Sequence, residues 1–282
     1  MASTSSISVD KLARLVGTPG CPALIDIQTD PDFAADPRLI PGAVRRPWDR
    51  ISDWACEFDG RTAVVICQKG QKLSQGAAAW LRHTGLTAES LDGGALAWAA
   101  AGLPMVPAAK LPDMDAQGRT VWVTRSRPKI DRIACPWLIR RFVDPTAVFL
   151  FVSPSEVMGV AERFGATPFD IDGQGVFWSH RGERCTFDVM VEEFRLSAPP
   201  LDRLATIVRG ADTDRLDLAP EAPGLLAASL GLSRMFGEDL PQLEAGMLLY
   251  DAFYRWCRDA IEETHNWPAS KPLAKPAREL AR

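Results

Sequence analysis

Val64-Val65-Ile66-Cys67-Gln68-Lys69-Gly70-Gln71-Lys72-Leu73-Ser74 is the stretch from which the rest of the chain can be organised. Ala63 to Ile66 is continuous, apolar and β-branched, as strands buried on both faces of a parallel sheet tend to be. The strand ends at a cysteine. A loop with glycine at its middle follows, and a helix is predicted from Ser74 to His83, stopped at Gly85. Such a loop can turn successive N–H groups inward as an anion nest, and the helix start adds partial positive charge at the same place. Lys69 and Lys72 bring two full charges. All three effects favour an anionic sulfur, so Cys67 is the candidate nucleophile. The loop Gln68, Lys69, Gly70, Gln71, Lys72 and Leu73 is the candidate binding cradle, with Gly70 supplying a positive φ or a close backbone approach. The plainer alternative is a cysteine that merely closes a buried strand beside solvated lysines.

Outward from this unit, strands and helices alternate. Ser8 is placed to cap a short helix through Val16. Ala23 to Ile27 reads as a strand, Ser90-Leu91 as a brief one, and Ala95 to Ala101 as a helix stopped by Gly102 and Pro104. This alternation argues an α/β unit whose mainly parallel sheet is flanked by helices. Residues 104–118 hold three prolines and little periodicity. They divide a first domain (1–106) from a second (120–265) through a linker (107–119), with a tail at 266–282. In the second domain, strands are expected at Thr120–Val123 and Ala147–Val152, with shorter ones at Phe169–Ile171 and Val176–Trp178. A helix is expected from Ile130 to Phe142, and another after the capping box Ser153-Pro154-Ser155-Glu156. From Thr186 onward the pattern is mostly helical. The second domain is therefore mixed α/β, becoming helical toward its C-terminal end.

The chain has 282 residues, 46% hydrophobic and 24% charged, with a formal net charge of -4, which suits a soluble globular protein and argues against nucleic acid as a partner. No stretch is long and apolar enough to span a membrane, and Met1 to Gly17 lacks the apolar segment of a secretory signal. A cytoplasmic location is expected. The six cysteines are dispersed without a CxxC pair, so no disulfide framework is expected.

Residues 8–106 resemble a single-domain rhodanese. Cys67-Gln68-Lys69-Gly70-Gln71-Lys72 is similar to the family's active-site loop CxxGxR, followed shortly by serine. Leu91-Asp92-Gly93-Gly94-Ala95-Leu96-Ala97-Trp98, with Ala101-Gly102-Leu103-Pro104, resembles its L-x-G-G-x-x-x-W…G-L-P ending. Leu24-Ile25-Asp26-Ile27 and Ile40-Pro41-Gly42-Ala43 resemble two upstream elements. The resemblance implies sulfur transfer through a Cys67 persulfide with no cofactor required. The implied donor is a small sulfur compound such as thiosulfate, and the acceptor a thiol or cyanide. Three positions depart from the pattern. Gln28 stands where the family usually has arginine, Arg38-Leu39 replaces Gly-His, and Lys72 replaces the loop arginine. Lysine keeps the charge but loses the bidentate fork, which disfavours thiosulfate more than it disfavours a persulfide.

Residues 122–257 resemble the C-terminal domain of bacterial chromate-resistance proteins of the ChrB type. The matching stretches run from Lys129 to Arg141, Phe149 to Val152, Gly165 to Asp170, Ser179 to Glu183, Cys185 to Asp188 and Val208 to Asp214. The resemblance implies a role in chromate or metal stress. Two clusters carry candidate chemistry. Arg125, Arg127 and Arg132, where a strand gives way to a helix, could take a tetrahedral oxyanion such as chromate through planar donor pairs. A solvated basic face is the alternative. His180 and Glu183, with Asp212 from a later loop, have ligand types for a divalent metal; a polar turn at Arg181-Gly182 with helix-capping acids is the alternative. The expected function is sulfur transfer linked to chromate resistance. Its rival is a non-enzymatic chromate- or metal-responsive regulator that uses the first domain as a sensor.

Overall fold

The computed structural model describes residues 5–171, 173 and 175–263; the expected tail at 266–282 lies outside them. The first unit contains β1 (Ser6–Ile7), β2 (Ala23–Asp26), β3 (Arg38–Leu39), β4 (Ala43–Arg45), β5 (Ala63–Ile66), β6 (Ala88–Leu91) and β7 (Val106–Pro107). Its helices are α1 (Val9–Ala13), α2 (Asp30–Ala35), α3 (Ile51–Trp54), α4 (Lys72–His83) and α5 (Gly94–Ala100). Five strands form a parallel sheet in the order β1-β6-β5-β2-β4. Side chains alternate between its faces. Leu24, Val64 and Ile66 point one way, while Ile25, Ile27, Val65 and Cys67 join Ala77, Ala78 and Leu81 of α4 on the other. Cys67 is thereby committed to the face that α4 covers.

Residues 107–119 carry structure of their own. β7 pairs antiparallel with β3, and a 3-10 turn spans Ala108–Lys110. Lys110 reaches Glu193 at 2.5 Å. Asp115 closes a tight turn by accepting from the backbone N–H groups of Gln117 and Arg119.

The second unit contains β8 (Val121–Arg125), β9 (Val148–Val152) and β10 (Thr167–Pro168), a parallel sheet ordered β10-β8-β9. Its helices are α6 (Asp131–Phe142), α7 (Val157–Phe164), α8 (Thr186–Glu193), α9 (Pro199–Asp212), α10 (Ala222–Met235) and α11 (Asp239–Arg255). Val123 faces α7 and packs on Val157 and Ala161. Trp122, Phe149 and Phe169 face the helical layer, where Trp137 lies against Phe142, Phe187, Tyr250 and Tyr254. The Trp137 indole N–H donates to Asp251 at 2.8 Å, which leaves that buried dipole satisfied. Both units contribute to one continuous core that runs from Val64, Ile66 and Trp98 to Trp137 and Phe142.

Several local expectations change. Helix α4 starts at Lys72, two residues earlier than expected. Ser153 does not cap: Pro154–Glu156 is a 3-10 turn and the Ser153 hydroxyl faces Ser155, so α7 begins at Val157. The expected strands at Phe169–Ile171 and Val176–Trp178 reduce to a single parallel bridge between Phe169 and Trp178, because β10 takes the sheet edge instead. The short elements β1, β3, β4, α2 and α3 are too brief to leave a periodic signature.

Candidate functional site

Cys67 follows the last residue of β5, and its loop is wedged against the start of α5. A side chain on Gly70 would place Cβ 2.3 Å from the Leu91 carbonyl oxygen and 2.5 Å from the Gly93 and Gly94 nitrogens. One on Gly94 would lie 2.1 Å from the Cys67 carbonyl oxygen. Both glycines have positive φ, 65° and 61°. Ala95 N–H and Leu96 N–H donate to the Cys67 and Gln68 carbonyls at 3.0 Å. In a trans peptide the N–H lies opposite the C=O. The Gln68 and Lys69 N–H groups are therefore directed away from α5. Among the described residues the Gln68, Lys69, Gly70 and Gln71 N–H groups have no acceptor within the chain. The first turn of α4 adds the open N–H groups of Lys72 and Leu73.

The Cys67 thiol donates to Ser74 Oγ at 3.1 Å, and Ser74 Oγ donates to the Gln71 carbonyl at 3.2 Å. Cys67 retains 5% exposure. Lys69, Gln71 and Lys72 are exposed, Gln68 and Leu73 half-buried. Neither lysine forms an ion pair among the described residues, which leaves both charges available to an anion.

The Gln28 departure has a structural counterpart. Gln28 is buried, and both its backbone N–H and its Nε2 donate to Asp26, at 2.9 and 2.8 Å. Arg45 of β4 supplies the cation, with Nη1 3.6 Å from Asp26 Oδ1 and Nη2 donating to the Gln28 carbonyl. Burial raises the Asp26 carboxyl above its usual range, although the Gln28 hydrogen bonds and the Arg45 charge oppose the rise.

The second domain gathers a different centre. His180 Nε2 lies 3.2 Å from Asp212 Oδ2, 3.4 Å from Asp170 Oδ1 and 3.6 Å from Asp131 Oδ2. Asp131 is the first residue of α6 and is wholly buried. Asp170 follows β10 in a left-handed conformation, φ 48°, and Asp212 ends α9. The Phe187 N–H donates to Asp131 Oδ2 at 3.2 Å and the Thr186 hydroxyl to Asp170 Oδ1 at 3.0 Å. Desolvation and then the Asp212 charge push Asp131 up to about 7. The three carboxylates of Asp131, Asp170 and Asp212 facing Nε2 favour the protonated imidazole and push His180 up to about 12. At Asp170 burial works against ionisation, but His180, Thr186 and Arg132 outweigh it and hold the carboxyl below its usual range.

Of the metal candidates, His180 and Asp212 meet, and Glu183 does not join them. Gly182, at φ 61°, turns the chain outward, and Glu183 faces Arg215 at 3.4 Å with 87% of its side chain exposed. Asp131 and Asp170 take the remaining places. Both lay in stretches already singled out, but nothing in their spacing tied them to His180. The three arginines do not form an open oxyanion site. Arg132 and Arg125 are drawn to Asp170 Oδ2 at 3.3 and 3.7 Å. Arg127, itself left-handed at φ 59°, turns to Asp239 and the Ser233 carbonyl.

The profile of rhodanese-like domains matches residues 8–101, and that of the ChrB C-terminal domain matches residues 122–257. The chain joins a rhodanese-like domain to a ChrB C-terminal domain. Protein ChrB of Cupriavidus metallidurans is 33% identical over 144 residues, which cover 49% of this chain and 40% of that relative's own length. Among solved structures, SSP1007 from Staphylococcus saprophyticus is 28% identical, covering 34% of this chain and 93% of its own, with TM-score 0.31. Thiosulfate sulfurtransferase from Pseudomonas aeruginosa is 31% identical, covering 39% of this chain and 20% of its own, with TM-score 0.33. No helix among the described residues is long and apolar enough to cross a membrane.

Proposed function

We propose that the rhodanese-like domain transfers sulfane sulfur through Cys67 and that the chain serves a chromate-stress response. The observation that carries this is the loop after β5. It is one cysteine ringed by unclaimed N–H groups at a helix start, held open by two glycines whose neighbours leave no room for a side chain. An anionic persulfide is what such a cradle suits. The Cys67 thiolate attacks the outer sulfur of the donor, forming a new S–S bond. The donor's own S–S bond breaks, and with thiosulfate sulfite departs with the electron pair. A hydroxyl both donates and accepts, so Ser74 Oγ can rotate from the Gln71 carbonyl and donate to the anionic sulfur. An acceptor thiolate or cyanide then takes the terminal sulfur and frees the Cys67 thiolate.

The rival reading has an observation of its own. With 5% exposure, Cys67 suits a sensing module that rarely opens as well as an enzyme. Mass spectrometry after treatment with thiosulfate or glutathione persulfide separates the two. One added sulfur on Cys67, its transfer to cyanide, and loss of both in Cys67→Ser are expected. A wild-type chain that never acquires sulfur leaves the sensing module. The link to chromate rests on the ChrB-type domain and is checked by growth on chromate with the wild-type and Cys67→Ser genes.

A further inference from the structure

The geometry points to a divalent-cation site in the ChrB-type domain, built from Asp131, Asp170, His180 and Asp212 and suited to an octahedral, oxygen-preferring ion of the Mn2+ class.

Three observations carry it. First, one nitrogen faces three carboxylates. An imidazole Nε2 has at most one N–H to give, and charge-assisted bonds run at about 2.7–2.9 Å. The separations here are 3.2, 3.4 and 3.6 Å. Donor atoms at about 2.1 Å from a shared octahedral ion stand about 3 Å from their neighbours, so the spacing matches coordination better than hydrogen bonding. One ligand atom each of Asp131, Asp170 and His180 lies within 4.8 Å of the other two, and Asp212 joins them through the 3.2 Å approach of its Oδ2 to His180. Second, Asp131 is fully buried at the centre, yet its Oδ1 has no hydrogen-bond partner. A buried carboxylate oxygen with no protein donor is costly unless a cation meets it. Third, the carboxylates are already aimed. Phe187 N–H holds Asp131, Thr186 and Arg132 hold Asp170, and Asp212 Oδ1 accepts from the Asp131 N–H at 3.4 Å. Outer contacts of this kind orient ligands at metal centres. The His180 side chain is 40% exposed, which leaves a way in for the ion and for water ligands. A set of three carboxylates and one imidazole favours Mn2+ over thiolate-seeking ions. Cys135 and Cys185 are not in the set.

The test uses the full chain, stripped with a chelator and titrated with Mn2+ while electron paramagnetic resonance reads the free ion. One Mn2+ per chain should leave the free pool. His180→Ala and Asp212→Asn should each weaken binding by about tenfold or more, with unchanged circular dichroism. Asp212 is partly exposed at a helix end, so Asp212→Asn decides if His180→Ala fails to fold. Glu183→Ala should titrate like the wild type. A free signal that does not fall, uptake unaltered in both variants, or retention of Zn2+ alone would each overturn the site.

Discussion

The two polar centres of this molecule are built in opposite ways. The cysteine loop is one contiguous run of sequence whose working groups are backbone N–H donors, shaped by glycines that admit no side chain. The acid–histidine centre is made of side chains from separate places along the chain, with partners as far apart as Asp131 and Asp212. A centre of the first kind fails through shape, and one of the second through charge.

The largest effect should come from shape. Gly94→Ala forces Cβ to 2.1 Å from a backbone oxygen at φ 61°, so stability should fall by about 3 kcal/mol or more and sulfur transfer should vanish. Gly85→Ala, at φ 97° but in open space, should cost only about 1 kcal/mol in urea unfolding. Equal losses in the two would break the contrast. Charge comes next. Asp170→Asn retains size, and asparagine tolerates the left-handed backbone. Any loss then reports Arg125, Arg132 and His180 left without the carboxylate they share, about 3 kcal/mol in the same assay. A neutral result would show that those ion pairs are not what holds the centre. A smaller effect is expected at the loop rim: Lys72→Arg, by restoring a bidentate donor, should lower the KM for thiosulfate about threefold. The smallest is Glu183→Ala, whose exposed pair with Arg215 should change stability by less than about 0.5 kcal/mol.

The same contrast decides what sequence could disclose. A strand, a cysteine and a glycine-centred turn are local, so the shape of the loop after β5 is legible in the sequence, as are the parallel sheet and the helical second domain. The other centre was half readable. His180 and Asp212 stand out by residue type, whereas Glu183 stands out only by its nearness along the chain, and a turn at Gly182 sends it outward. Asp131 and Asp170 stand in stretches that the family resemblance marks, but only the packing of α6 against the chain after β10 brings them to His180. The arginines follow the same logic: the sequence shows their charge but not the Asp170 that receives Arg125 and Arg132 or the Asp239 that receives Arg127.

Gly17 carries one more consequence. A Cβ there would sit 2.2 Å from the Phe142 ring, and the backbone N–H of Gly42 donates to the Phe142 carbonyl at 2.7 Å. An aromatic plug from one module is seated in the bare backbone of the other. Pulling them apart would uncover oily surface on both sides. A calorimeter should accordingly trace one shared endotherm rather than two, and a gene cut between them should yield fragments that cling to each other or to anything else greasy.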